Sequence, residues 1–226
     1  MESLKKAIDA FVNAFKIADL RKKLLFTLGV LIIYRIGAHI TIPGVNSAVL
    51  GEYFRNSNNL FGLYDSFTGG AFAKATVFAL GIMPYISASI IIQLMGAVIP
   101  AIQMLQKEGQ EGRAKLNQYT RYFTVVLAAL QGWGVSVWLS NLKVTTAAGT
   151  GISVLLDDFA SGMGNIGFRL LATLTFTTGT IFVMYLGEQI TSRGVGNGIS
   201  LIIFAGIVGG LPRAVFAELE MLVNDI

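Results

Sequence analysis

No cysteine occurs in this 226-residue chain, which excludes disulfides, thiolate metal sites and a cysteine nucleophile. Histidine is almost as scarce: His39 stands alone, too little for an imidazole metal centre. Charge is the third shortage. Asp, Glu, Lys and Arg make up 13% of the residues, where a soluble domain carries roughly a quarter. These charges gather in short clusters between long uncharged runs. No Asp, Glu or Lys lies in the inner part of those runs, where ion-coupled transporters and intramembrane hydrolases keep ionisable groups because a charge in lipid is costly. The serines and threonines have no histidine or lysine placed to activate them. Neither an enzyme nor a cofactor is expected.

What is present is apolar. Hydrophobic residues make up 54% of the chain and the mean hydropathy is +0.65. The net charge of +4 comes from basic residues flanking apolar runs, not from a basic surface of the kind that nucleic acid requires. The pattern predicts an all-α, polytopic membrane protein with about five transmembrane helices. A cleavable signal peptide is not expected at the beginning, since Arg35 interrupts its apolar stretch before any small-residue cleavage pattern.

Residues 1–23 place Leu4, Ile8, Phe11, Val12 and Phe15 at helical spacing. This fits an amphipathic helix lying on a membrane surface or one packed on the protein itself. A first span is expected near 24–42, with Arg35 and His39 on one face near the far interface, where Arg35 can snorkel. Leu60–Lys74 is too polar and too short to span. It fits an outer loop or a re-entrant half-helix in a water-lined cavity. Ala75–Gln106 carries no charge over 32 residues, longer than one crossing needs. Gly81 and Pro84 mark a break in it, so a second span is expected at 75–100 with the break at 81–84.

Lys107–Arg121 reads as a hydrophilic loop. Further spans follow near 122–142, 169–187 and 198–215, with Val183 facing lipid. The Gly-rich Gly194–Gly198 reads as a tight turn that starts a helix, because no lysine or strand accompanies it as in a phosphate loop. Eleven Lys and Arg fall on the side of the N-terminus, the 107–121 loop and Arg193, against five or six opposite. That asymmetry puts the N-terminus in the cytoplasm. Ile82 with Ile86 and Ile199 with Ile203 stand at i, i+4, which suits either a pore wall or an ordinary membrane helix.

Several blocks are more specific. Phe67–Ala71 followed by Phe78–Leu94 (FALGIMPYISASIIIQL), Lys107–Gly109, Gln118–Tyr122, Leu186–Thr191 and Gly196–Ser200 resemble, in order and spacing, the first half of the SecY family. The stretch Asn141–Phe168 carries no such signature. The resemblance implies the N-terminal half of an inverted-repeat channel: the central pore-forming subunit of a Sec translocon, passing unfolded secretory chains across the bacterial cytoplasmic membrane and membrane proteins sideways into it. It implies a pore ring at Ile82, Ile86, Ile199 and Ile203, and a plug at about 60–74 that includes Phe67, Thr68, Gly69, Gly70 and Ala71. It also implies a lateral gate touching Ser87, Gln93 and Gln131. For Gln131 a plain helix–helix hydrogen bond is the alternative.

Lys107, Arg113, Lys115 and Arg121 are the implied cytoplasmic contacts. SecE, SecG, the SecA motor ATPase and the ribosome are the implied partners, with secretory and membrane proteins as substrates. Two other classes compete: half of a secondary transporter, also built on inverted repeats and broken helices, and a membrane scaffold without a pore.

Overall fold

The computed structural model describes residues 17–56, 60–145, 151–160 and 162–210. Most of the expected surface helix at 1–23, and the end of the expected span at 198–215, lie outside these residues. The described elements are α1 (Ala18–Gly37), α2 (Ser47–Asn56), α3 (Leu60–Thr68), α4 (Met83–Val98), α5 (Pro100–Lys107) and α6 (Gln110–Asn141). There follow β1 (Lys143–Thr145), β2 (Gly151–Ser153), α7 (Asp157–Ala160), α8 (Gly162–Arg193) and α9 (Gly198–Gly210). The fold is that of an all-α polytopic membrane protein. Among the described residues, α6 and α8 are each long and apolar enough to cross a bilayer, and the bent pair α4–α5 makes a third if taken as one span.

The two long helices form the spine. On α6 the buried positions Thr120, Thr124, Ala128, Gly132 and Ser136 recur every four residues, a narrow seam of small side chains along which a second helix can come close. Against it lie the buried Phe168, Ala172 and Phe176 of α8. Contacts along the seam fix an antiparallel pairing: Arg121 to Glu188, Gly132 to Phe176, Ser136 to Thr173, and Arg169 to Ser140. A Cβ on Gly132 would sit 3.5 Å from the Phe176 Cβ, ordinary contact with no room beyond. Gly132→Ala is therefore expected to be tolerated, and Gly132→Leu to destabilise the fold by about 1–3 kcal/mol. Thermal unfolding in detergent would measure both.

Both long helices overrun the apolar stretches that announce them. The segment expected as a hydrophilic loop at 107–121 is helical from Gln110 onward, after Gly109 turns the chain at φ +73°. At the other end α8 continues to Arg193, beyond the expected limit at Gly187. Hydropathy reports where lipid touches a helix, whereas i→i−4 hydrogen bonds carry the backbone on into water.

The uncharged 75–106 run divides into a turn segment and two helices. Residues 71–82 are turns, and α4 starts at Met83 with Pro84 in its first turn, where the missing N–H costs nothing. A second break, at Ile99–Pro100, bends α5 away from α4 by 102°. Ile99 is extended (φ −99°, ψ 113°), as a residue before proline prefers. The stretch Asn141–Phe168, which has no legible motif, holds an antiparallel β1–β2 hairpin with Val144 opposite Ile152. Val144, Val154 and Leu155 pack with Ile42, Leu50, Phe72 and Phe168 in one buried apolar cluster.

Candidate functional site

A second apolar cluster lies deeper between the helices. It joins Val30 and Tyr34 of α1, Ala71, Phe78 and Ile82 of the turn segment before α4, Val183, Leu186 and Ile190 of α8, and Ile202 of α9. Ile86, Ile199 and Ile203 pack against it half-buried. All four isoleucines singled out in the sequence thus meet at one apolar junction, together with a residue of the expected plug. Their side chains are stiff at χ1 and carry no polar atom. Val183, expected to face lipid, is instead fully buried in this cluster; the helix turns it toward α1 and the turn segment.

Local chemistry fixes these positions. Ile82 precedes α4, and the Ile86 N–H donates to its carbonyl at 3.1 Å. Asn197 caps α9, its side-chain oxygen accepting from the N–H groups of Ile199 (3.0 Å) and Ser200 (3.2 Å). The Gly198 N–H donates to the Thr191 hydroxyl at 2.9 Å, and the Val195 N–H to the Thr27 hydroxyl at 3.1 Å. The glycine-rich Gly194–Gly198 is thus a capped turn held by side chains of α1 and α8. It aims Ile199 and Ile203 of α9 at the cluster.

The 60–74 segment is a short helix followed by a tight reversal. After α3, Gly69 and Gly70 take φ +67° and +86°, which glycine adopts without strain. Asp65 closes the reversal: its carboxylate accepts the Ala73 N–H at 2.8 Å, and its carbonyl accepts the Gly70 N–H at 3.1 Å. The Thr68 hydroxyl receives the Phe72 N–H at 3.3 Å. The Tyr64 hydroxyl donates to the Leu80 carbonyl at 3.0 Å. Thr68 and Ala71 are buried and Phe67 is 48% exposed. Asp65 and Tyr64 were not singled out in the sequence; a lone Asp three residues before a Thr and four before a Gly-Gly pair is the signal that points to such a turn.

Beyond this segment an apolar cavity of about 440 Å³ opens between α3, α4 and α6, lined by Tyr64, Phe72, Met83, Ser87, Gln131 and Trp138 among others. Ser87 and Gln131 therefore share one cavity wall. Gln93 does not reach it. It is exposed on α4 and donates to the Ser89 hydroxyl at 3.1 Å.

Lys107, Arg113, Lys115 and Arg121 are all exposed around the α5–α6 elbow. Lys115 faces Glu108 at 3.9 Å, and the Arg121 Nε donates to Glu188 at 2.6 Å, tying α6 to α8. Half of the Arg121 side chain remains accessible, so solvent screens this pair. Glu188→Gln is expected to cost no more than about 1 kcal/mol, which a double-mutant cycle with Arg121→Gln would read.

The family model described as SecY matches residues 76–225. The chain is 49% identical over 215 residues to the protein translocase subunit SecY of Pseudomonas aeruginosa, covering 95% of this chain and 45% of that protein. It is 47% identical to that of Streptomyces scabiei, covering 94% and 48%, and 47% identical to that of Escherichia coli K12, covering 90% and 44%. The chain spans about half the length of these relatives. Among solved structures, "The structure of a protein conducting channel" superposes with a TM-score of 0.57 at 20% identity, over 83% of this chain and 36% of that one. "Sec61 in the Canine ribosome-channel complex from the endoplasmic reticulum" does so at 0.56 and 20%, with the same coverage.

Proposed function

The chain belongs to the SecY family, and from that premise we propose that it forms the N-terminal half of the pore of a protein-translocation channel. Unfolded secretory chains would cross at the isoleucine junction, and apolar segments would leave sideways between helices. One observation carries this reading: Ile82, Ile86, Ile199 and Ile203, from two separate helical regions, converge on one apolar cluster that also holds Ala71 of the turn after α3. A wall of branched, non-polar side chains excludes water and ions by dewetting when empty. It also closes around a passing chain without gripping it.

In this reading residues 60–74 are the plug, and the cavity shared by Ser87 and Gln131 borders the lateral gate. The chain crosses the bacterial cytoplasmic membrane five times, with its N-terminus in the cytoplasm. The basic elbow of Lys107, Arg113, Lys115 and Arg121 then faces the ribosome or SecA, with SecE and SecG as membrane partners. The channel is a passive conduit, not an enzyme; translation, SecA and the membrane potential supply the energy. The cleanest test reconstitutes the full-length protein containing this chain in vesicles with its partners and a secretory precursor. Precursor protected from added protease only when the channel is present supports the proposal. Uptake of a small solute without precursor protection would favour a transporter half instead, and neither activity would favour a scaffold.

A further inference from the structure

From three elements distant in sequence that meet at one side chain, we infer that Arg35 is a positioning residue: a two-headed latch that holds the plug turn against α9. The inference rests on the reading of 60–74 as the plug. Arg35 stands near the end of α1. Its Nη1 donates to the Gly69 carbonyl at 3.4 Å and its Nη2 to the Gly209 carbonyl at 3.0 Å. One guanidinium thus joins the turn after α3 to the last described turn of α9.

The surroundings are shaped for this contact. A Cβ on Gly69 would lie 2.8 Å from the Arg35 Nη1 and 2.8 Å from the Gly206 carbonyl oxygen. A Cβ on Gly206 would lie 2.8 Å from the Phe67 carbonyl oxygen. A Cβ on Gly209 would run into the guanidinium itself, at 2.5 Å. Three glycines therefore let the plug turn lie backbone to backbone on α9 with the arginine wedged across the seam. The root of the arginine is packed in place: its neighbour Tyr34 is 2% exposed and stacks on Phe78 at 5.9 Å.

The two heads differ. The bond to α9 is the shorter of the two. A cavity of about 390 Å³ adjoins the contact, lined by Arg35, His39, Asp65, Ser66, Lys74 and Ile207 among others. With the polar side chains of His39, Asp65, Ser66 and Lys74 in its wall, this space can hydrate the freed nitrogen and the Gly69 carbonyl, which makes the contact a releasable latch and not a permanent bolt. A lysine cannot replace it, because an ammonium is a point donor without the planar fork that spans two carbonyls.

The test places spin labels at Ser66→Cys and Ile207→Cys, both exposed at the cavity, in the assembled full-length protein cleared of other cysteines. Distance distributions and resting ion conductance are recorded for the parent, Arg35→Lys and Arg35→Gln. A second label pair at Leu130→Cys and Leu174→Cys, exposed on α6 and α8, reports whether the fold is intact. A hydrogen bond to a charged group shifts an equilibrium by about tenfold or more. Arg35→Gln should therefore broaden the Ser66–Ile207 distribution and raise the undocked population by at least about tenfold, with Arg35→Lys in between and the control pair unchanged. If conductance rises with it, latch and plug both stand. A broadened distribution with unchanged conductance keeps the latch and defeats the plug reading of residues 60–74. An unchanged Ser66–Ile207 distribution in Arg35→Gln overturns the latch, whatever the conductance does. Loss of the control distance in Arg35→Gln moves the decision to Arg35→Lys, whose parent-like distribution would also overturn it.

Discussion

Replacing Ile86 by asparagine in the assembled channel is expected to raise its resting ion conductance by on the order of tenfold or more. Ile86 is half-buried and packs on the cluster that holds Ile82, Ala71 and Ile202. A dewetted constriction stays dry because no lining atom offers water a hydrogen bond. A carboxamide retains about 2 kcal/mol or more of hydration that a hydrocarbon lacks, and 1.4 kcal/mol is about one factor of ten in an equilibrium. Ile86→Val keeps both the branching and the absence of polar atoms, so it should leave conductance near the parent's. Planar-bilayer recordings of both variants give the comparison. Equal conductance in Ile86→Asn and Ile86→Val would remove Ile86 from the wall.

The second large effect is expected at Gly198. A side chain there would collide with the backbone carbonyl of Gly187 and approach the Ile190 Cβ at 2.7 Å, so α9 can start only where no Cβ intervenes between it and α8. Gly198→Val should force the turn away from α8 and break the Thr191 hydroxyl contact to the Gly198 N–H. It should also displace Ile199 and Ile203 together. Overpacking against backbone has no flexible atom to yield, and a loss of about 3 kcal/mol or more follows. Thermal unfolding in detergent measures the stability. The expected result is a large drop in melting temperature, with Gly196→Ala as the comparison: Gly196 has open space around its Cβ but a φ of +72°, so it should cost only about 1 kcal/mol. Parent-like stability in Gly198→Val would mean that α8 and α9 do not meet as described.

What was legible in the sequence follows from what each interaction depends on. The apolar cores of α6 and α8 are local composition and could be read directly. Their water-exposed ends could not, because hydropathy does not report the i→i−4 hydrogen bonds that continue α6 and α8 into water. The i, i+4 spacing put Ile82 with Ile86 and Ile199 with Ile203, but only the capped turn at Asn197 brings the two pairs to one place. Pro84 is visible as a break, and a 102° bend also falls at Pro100; both prolines sit in a first helical turn, and at the second the extended Ile99 ends α4 before α5 begins. For Arg35 the sequence shows only a side chain able to reach an interface. Its carbonyl partners are 34 and 174 residues away, and no spacing rule connects them. The β1–β2 hairpin was hidden by a Gly- and Thr-rich stretch whose strands are three residues each.

The central claim is that a translocating chain passes the isoleucine junction, and site-specific crosslinking tests it most directly. A single cysteine is placed at Ile86 of the full-length protein, in a background without other cysteines, and a secretory precursor carrying its own cysteine is stalled in transit. Leu174, 68% exposed on the outer side of α8, serves as the control position. The account predicts a disulfide between the precursor and Ile86→Cys and none with Leu174→Cys. A stalled precursor that crosslinks at neither position, or equally at both, would contradict it.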